Sequence, residues 1–247
     1  MVNHLKSLIR RSVGDPAYLF LHDMKLRARH WRRLLTGVDP WIFPQIRVMI
    51  EKHGEWYLYP TGIAEESIVY SLGVGTDISF DLSVIHRFGV HVYAFDPTPM
   101  ATAWIRAQAV PERFHVQQYG VADFDGVADF GLPGDPENPS FSYRGRQDKD
   151  IPIVKCEVRR LRTLMEMLGH TKIDLLKMDI EGAEYEVIDD FLAEDLPVKQ
   201  LLVEFHHRKP WIGASKTSAA VSSLTGKGFR LFRVSPGGEE FSFLQVS

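Results

Sequence analysis

An α/β fold, with a doubly wound and mostly parallel sheet closed by an antiparallel hairpin, is what this chain of 247 residues predicts. Three observations predict it. Runs such as Ile173-Asp174-Leu175-Leu176 and Leu201-Leu202-Val203 are apolar without alternation, as in strands covered on both faces. Strand-like segments are separated by helix-length ones, the pattern of parallel crossovers. The last two strands are separated by SPGGE alone, which suits a hairpin.

The elements follow in order. Residues 1–50 read as a basic, amphipathic helical extension, and residues 51–247 as the main domain. From Phe20 to Leu35 the apolar residues Phe20, Met24, Ala28, Trp31 and Leu35 repeat at spacings of four, four, three and four, one stripe of a helix. Lys25, Arg27, Arg29, Arg32 and Arg33 lie largely off that stripe. The helix either packs its stripe on the domain with a solvated basic back, or meets an anionic membrane surface or acidic partner. Trp56 to Tyr59 reads as a short strand. Strands are then predicted near 67–72, 91–95, 113–118, 154–158, 173–178, 199–205, 229–234 and 240–245. Helices fit near 78–88, 99–108, 161–168, 183–191 and 215–226. The polar, Pro/Gly-rich stretch 131–152 reads as a surface loop or lid.

A net charge of −3 argues against a general nucleic-acid surface. The charge is uneven: residues 1–35 carry eight Lys/Arg against Asp15 and Asp23. The single Cys156 rules out an intrachain disulfide and reads as a small buried side chain. No apolar run nears the roughly 20 residues of a membrane-spanning helix. The five residues AYLFL fall short of a signal-peptide core, so the expected location is the cytoplasm.

The stretch VYSLGVGTD presents a strand, a glycine turn and a helix start. Gly73 and Gly75 let a ligand approach the backbone, flanked by Val74. A dinucleotide needs its pyrophosphate at the positive end of the helix. Asp77 occupies that anion position, whether or not it also caps the helix. A phosphate-free, positively charged nucleoside, S-adenosylmethionine, has the opposite preference. Asp96 ends the next strand 23 residues beyond Gly73, placed to accept ribose hydroxyls, with Pro97 beside it. The turn and the acid alone do not separate NAD from S-adenosylmethionine; Asp77 and the terminal hairpin tilt the choice. Val121, in the GVAD stretch after the third strand, is placed to frame the adenine.

In order along the chain, VYSLGVGTDISFDLSVI, VYAFDPTP, IDLLKMDIEGAEYEVI and LLVEFHH resemble the FkbM-type family of S-adenosylmethionine-dependent methyltransferases, over Trp56 to the C-terminal FSFL. The resemblance implies a Rossmann-like class I methyltransferase fold with a seven-stranded sheet. It also implies O-methylation of a small-molecule or sugar hydroxyl. Two departures stand out. Ser71 replaces an acid common at the end of the first strand, and Asp77 replaces a later glycine. The contact to the cofactor ammonium would then fall to Asp77 or Asp179.

Methyl transfer asks the protein for alignment and for removal of the acceptor proton. The carboxyl ends of the strands offer Asp96, Asp179, Glu181 and the segment Glu204 to His207. Lys177, in a covered strand, needs an acid, and Asp179 or Glu181 is the expected partner. Otherwise Asp179 serves the cofactor tail and Glu181 the acceptor. His206 is the favoured base, because an unperturbed histidine titrates at about 6.5, and alternation sends His207 to the other face. Glu204, His206, Asp179 and Glu181 lack the tight spacing of a metal site, so none is expected. The competing class is a noncatalytic binding module that recruits a partner through the basic helix; a third reading is an NAD-linked oxidoreductase.

Overall fold

The computed structural model describes residues 16–131, 142–143 and 153–246. The rest of the 131–152 insertion and the first fifteen residues, with the basic Lys6, Arg10 and Arg11, lie outside the described residues. Helix α1 spans Pro16–Leu35. A short hairpin, β1 (Glu51–His53) and β2 (Trp56–Leu58), turns at Gly54 with φ 58°. The main sheet holds β3 (Ile68–Leu72), β4 (His91–Phe95), β5 (Phe114–Gln117), β10 (Leu175–Met178), β11 (Gln200–Glu204), β12 (Phe229–Val234) and β13 (Glu240–Gln245). Its order is β12-β13-β11-β10-β3-β4-β5, parallel except for β13, which runs antiparallel to both β11 and β12. The doubly wound sheet and terminal hairpin are as the sequence predicts.

Alternation along the buried strands feeds two cores. Val69, Val92, Leu175 and Leu202 face α2 (Ser79–Phe88) and α3 (Pro99–Arg106), joining Phe80, Val84 and Ile105. Tyr70, Leu72, Leu176, Met178, Leu201 and Val203 face α4 (Leu161–Leu168), α5 (Glu184–Ala193) and α6 (Ala214–Gly226). Each fully covered aliphatic side chain contributes about 1.5–3 kcal/mol. The helices start and stop where local chemistry directs. Thr98 caps α3 through Ala101 N–H, with Pro99 at the first helical position. Gly89 and Gly169 end α2 and α4 in the left-handed conformation.

The strand predicted near 154–158 lies elsewhere than in the main sheet. β9 (Ile153–Arg159) belongs to a second sheet, β6-β9-β7-β8, with β6 (Gly120–Val121), β7 (Gly126–Gly131) and β8 (Ser142–Tyr143). Part of the 131–152 stretch is therefore strand: Gly131 ends β7 and pairs with Ser142. The second sheet brings Phe130 and Val121 over the end of β4, and it buries Cys156 as expected.

The N-terminal segment is clamped to the main domain by Asp39, which is 1% exposed. Its carboxylate lies 2.8 Å from His30 Nδ1 and 3.1 Å from His207 Nε2, and it accepts two 2.8 Å bonds from Arg208. Burial pushes that carboxyl up, but Arg208, His207 and His30 outweigh it and hold Asp39 far below the usual carboxylate range. His30 reaches in over Gly238, where an added Cβ would lie 2.1 Å from the imidazole.

Among the described glycines, the closest backbone approach is at Gly73, with φ +71°. A Cβ there would sit 1.7 Å from the Asp179 carbonyl oxygen, whereas one at Gly75 (φ +51°) meets nothing within 4 Å. Gly73→Ala is therefore expected to lose about 3 kcal/mol or more in urea unfolding, and Gly75→Ala only about 1–2 kcal/mol. Equal losses would contradict the packing described.

Candidate functional site

The ends of β3, β4 and β10 enclose a cavity of about 230 Å³. Every residue expected at the cofactor lines it: Gly73, Val74, Gly75 and Asp77 from the turn, Asp96 and Pro97 after β4, Val121 from β6, and Asp179 after β10. Glu181 lines it as well. Four carboxylates border this space, and among the described residues no Lys, Arg or His does.

Each wall is held by its own backbone. Gly73 N–H donates to Phe95 O (2.8 Å) and Asp179 N–H to Leu72 O (3.0 Å), stitching three strand ends together. Asp77 lies one residue before Ile78, the residue that caps α2 without a side-chain bond; it accepts from Ser79 N–H at 2.9 Å and remains exposed at the cavity. Asp96 is 5% exposed. Its Oδ2 accepts from Gly75 N–H (2.9 Å), and its Oδ1 from Thr98 N–H (2.9 Å) and Thr98 Oγ1 (2.6 Å). A carboxylate has about four acceptor positions. Three are filled, so the place expected for two ribose hydroxyls holds one open position, on Oδ2.

Ser71 is fully buried beneath the turn and lies outside the cavity lining. Asp77 and Asp179 are the acids that reach the space in its stead. Lys177 departs from the expected contact pair with Asp179 or Glu181. Its ammonium donates to Gly73 O at 3.2 Å and lies 5.2 Å from the centroid of the Trp56 ring. Its charge acts on two neighbours: burial raises the Asp81 and Asp179 carboxyls, and Lys177 pulls both back.

His206 stands behind the cavity wall, at the join of β11 and β10. Its Nε2 is 3.5 Å from Glu181 Oε2 and 3.8 Å from Asp179 Oδ1. Its backbone N–H donates to Glu184 Oε1 at 2.8 Å, and its Nδ1 lies 3.3 Å from the same oxygen. Glu184 is itself fully buried and accepts from Gly182 N–H at 2.8 Å. Lys209 Nζ donates to both the carboxylate and the carbonyl oxygen of Glu181, each at 2.7 Å. His207 points the other way, into the Asp39 clamp, as alternation predicts.

The electrostatics correct one expectation. Burial opposes a charge on His206, but Glu184 through its hydrogen bond and charge, with Glu181 and Glu204, outweighs it and raises His206 to about 9. At neutral pH this imidazole is protonated, not the free base that an unperturbed value near 6.5 suggests. Burial, with Asp179 and Glu240 nearby, pushes Glu204 up to about 8. Asp179, Glu181 and His206 each offer one donor atom, all within 4.8 Å of one another, a grouping that could hold a divalent cation. Sequence spacing hid this because the donors come from two strand ends. Lys209 and the His206 proton already supply positive charge at that point.

Sequence reasoning missed Glu184, Lys209, Thr98 and Phe130. Thr98-Pro99 carried a readable helix-start signal; Glu184 sat inside the quoted KMDIEGAE without a role. Lys209 and Phe130 had no local signal.

Glu204 and His206 are both raised in the fold, so the stability they confer is complete below their unfolded values, 4.5 and 6.5, and is lost as pH rises through about 8 and about 9. Thermal unfolding from pH 6.5 to 9 should show a falling midpoint. His206→Asn should remove the upper part of that fall, and a midpoint that rises over this window would contradict the assignment.

Residues 63–231 match the family model described as the Methyltransferase FkbM domain. A human protein, "Probable methyltransferase-like protein 24", is 27% identical over 175 residues, covering 66% of this chain and 41% of the human protein. The chain thus spans about two-fifths of that relative and of its rat counterpart. "31-O-demethyl-FK506 methyltransferase FkbM" of Streptomyces tacrolimicus is 26% identical over 192 residues, covering 66% of this chain and 72% of that protein. Among solved structures, fibrillarin of Methanococcus jannaschii aligns at a TM-score of 0.44 and 13% identity, over 81% of this chain and 84% of the other. The fibrillarin of Aeropyrum pernix with natively bound S-adenosyl-L-methionine aligns at 0.42 and 10% identity, over 84% and 85%. With the family model matching 169 consecutive residues that carry the glycine turn, Asp96, Asp179 and His206, the chain belongs to the FkbM methyltransferase domain family, whose cofactor is S-adenosylmethionine.

Proposed function

We propose that this chain transfers the methyl group of S-adenosylmethionine to a hydroxyl oxygen of a small molecule or sugar. The observation that carries the reading is the cavity wall: four carboxylates, Asp77, Asp96, Asp179 and Glu181, with no basic residue among the described lining. Such a wall repels a pyrophosphate and favours a phosphate-free cation. The glycine turn fits the same ligand, since nothing stands where a Gly75 side chain would be. The printed name of the Streptomyces relative, a 31-O-demethyl-FK506 methyltransferase, supports oxygen as the acceptor atom.

When bound, the cofactor supplies an activated methyl on a sulfonium, so the protein contributes alignment and proton removal. Asp96 would hold one ribose hydroxyl on its open Oδ2 position, and Val121 with Pro97 would flank the base. Asp179, with Asp77, would face the positive end of the ligand. Glu181, fixed by Lys209, would orient the acceptor hydroxyl. His206, behind the wall and 3.5 Å from Glu181, would receive the acceptor's proton by way of the Glu181 carboxylate once its own has left, which makes it a base that works best on the alkaline side.

Two outcomes follow. Calorimetry should detect S-adenosylhomocysteine binding, and Asp96→Ala should weaken it at least about tenfold, the worth of a hydrogen bond to a charged group; no heat up to millimolar ligand would sink the reading. In a methyl-transfer assay, kcat/KM should climb with pH towards about 9. Glu184→Gln, which removes the charge holding the His206 proton, should move that rise to lower pH. A profile that stays put in this variant would remove His206 from the base role.

A further inference from the structure

Helix α1 presents three faces. From Phe20 onward, Leu34 is buried and Asp23, Leu26, His30 and Arg33 are partly covered. The apolar stripe that periodicity singles out is not among them. Phe20, Met24, Trp31 and Leu35 are 64%, 52%, 53% and 75% exposed, and Ala28 is exposed too. The alternative in which the stripe packs on the domain is therefore corrected: Leu26 and Leu34 do that, about 160° and 80° round the helix from the centre of the stripe at about 100° per residue.

The stripe continues off the helix. Trp31 lies 6.4 Å, between ring centroids, from both Trp41 and Phe43, which lie 6.1 Å from each other. These two rings are themselves 56% and 50% exposed. Cations flank the apolar strip on both sides: Arg27 on one edge, Lys25, Arg29 and Arg32 on the other, all exposed. Asp23 is the one acid of α1 from Phe20 onward. The rest of the chain is acidic, so an anionic surface attracts this end and repels the remainder.

We propose that α1, with Trp41 and Phe43, lies flat on an anionic lipid bilayer, its aromatic stripe in the headgroup layer and its flanking cations on the lipid phosphates. A half-exposed row of Trp, Phe, Leu and Met edged by Arg and Lys is the arrangement that interfacial helices use. Tryptophan rings favour that depth because one part is apolar and another polar. No helix of the described residues is long and apolar enough to cross a membrane, so the contact is peripheral. The inference stands apart from the methyl-transfer reading, since α1 contributes nothing to the cavity lining.

The test is co-sedimentation of the full chain with vesicles of phosphatidylcholine alone and of phosphatidylcholine with phosphatidylserine, at about three to one. The chain should pellet with the anionic vesicles, and salt should release it. Arg29→Ala with Arg32→Ala should lower the partition coefficient roughly 30-fold, from about fivefold per cation. Phe20→Ser with Met24→Ser, which leaves the Trp31, Trp41 and Phe43 rings in place, should abolish pelleting with an unchanged unfolding midpoint, since these two side chains are mostly exposed. Equal pelleting on neutral vesicles, or none on anionic ones, overturns the proposal. So does a doubled molar mass reversed by Trp31→Ser without pelleting, which would make the stripe an interface between copies. Capture by polyglutamate without vesicle binding, the mark of an acidic protein partner, overturns it equally.

Discussion

The carbonyl of Asp179 occupies the space where a side chain on residue 73 would be, and much of the molecule follows from that contact. Only glycine lets β3 and β10 close so tightly at their carboxyl ends. The closure sets Asp179 against the turn, draws Lys177 up to the Gly73 carbonyl, and leaves a hollow bounded by Asp96 on the β4 side. Asp96 in turn holds Gly75 N–H and the first turn of α3 through Thr98. The hollow is therefore framed by the strand ends together with the Asp96 carboxylate that ties them to α3.

Concentrating acids at one sheet edge has an electrostatic cost that the fold meets with three cations. Lys177 lies beneath the turn, His206 behind the wall and Lys209 on Glu181. Their arrangement leaves Asp179 raised by burial, Glu181 and Glu184, and Glu204 raised by burial, Asp179 and Glu240. A site in that state gains from a positive ligand, because each added positive charge relieves carboxylate repulsion in a poorly solvated space. The same argument explains why His206 keeps its proton: it is a counter-charge to Glu184, Glu181 and Glu204. The Asp39 clamp secures this arrangement from the far side, gripping His207 and Arg208 just past the site. Residues N-terminal to the family match thus brace the strand end that carries His206.

Local signals carried most of the fold. Apolar runs, the glycine turn and the short SPGGE link fixed the strand and helix positions and the terminal hairpin, because each depends on neighbours within a few residues. The residues that line the cavity were legible for the same reason, lying next to strand ends that the doubly wound rule selects. What escaped depends on distant partners. The pattern of Ile153–Arg159 announces a strand but not that β7 and β6 claim it for a second sheet. The Phe20–Leu35 stripe announces an apolar face but not which way it points. The proton on His206 depends on Glu184, 22 residues away, and Glu181 on Lys209, 28 residues away. Neither separation has a sequence signature.

Diffraction from crystals grown with S-adenosylhomocysteine probes the central claim most directly, because it locates the ligand against named atoms. The account predicts the nucleoside in the cavity above Gly73, a ribose hydroxyl on Asp96 Oδ2, and the sulfur end directed at Asp179. Density for the ligand elsewhere, or the hollow taken instead by a pyrophosphate from a dinucleotide, would contradict it.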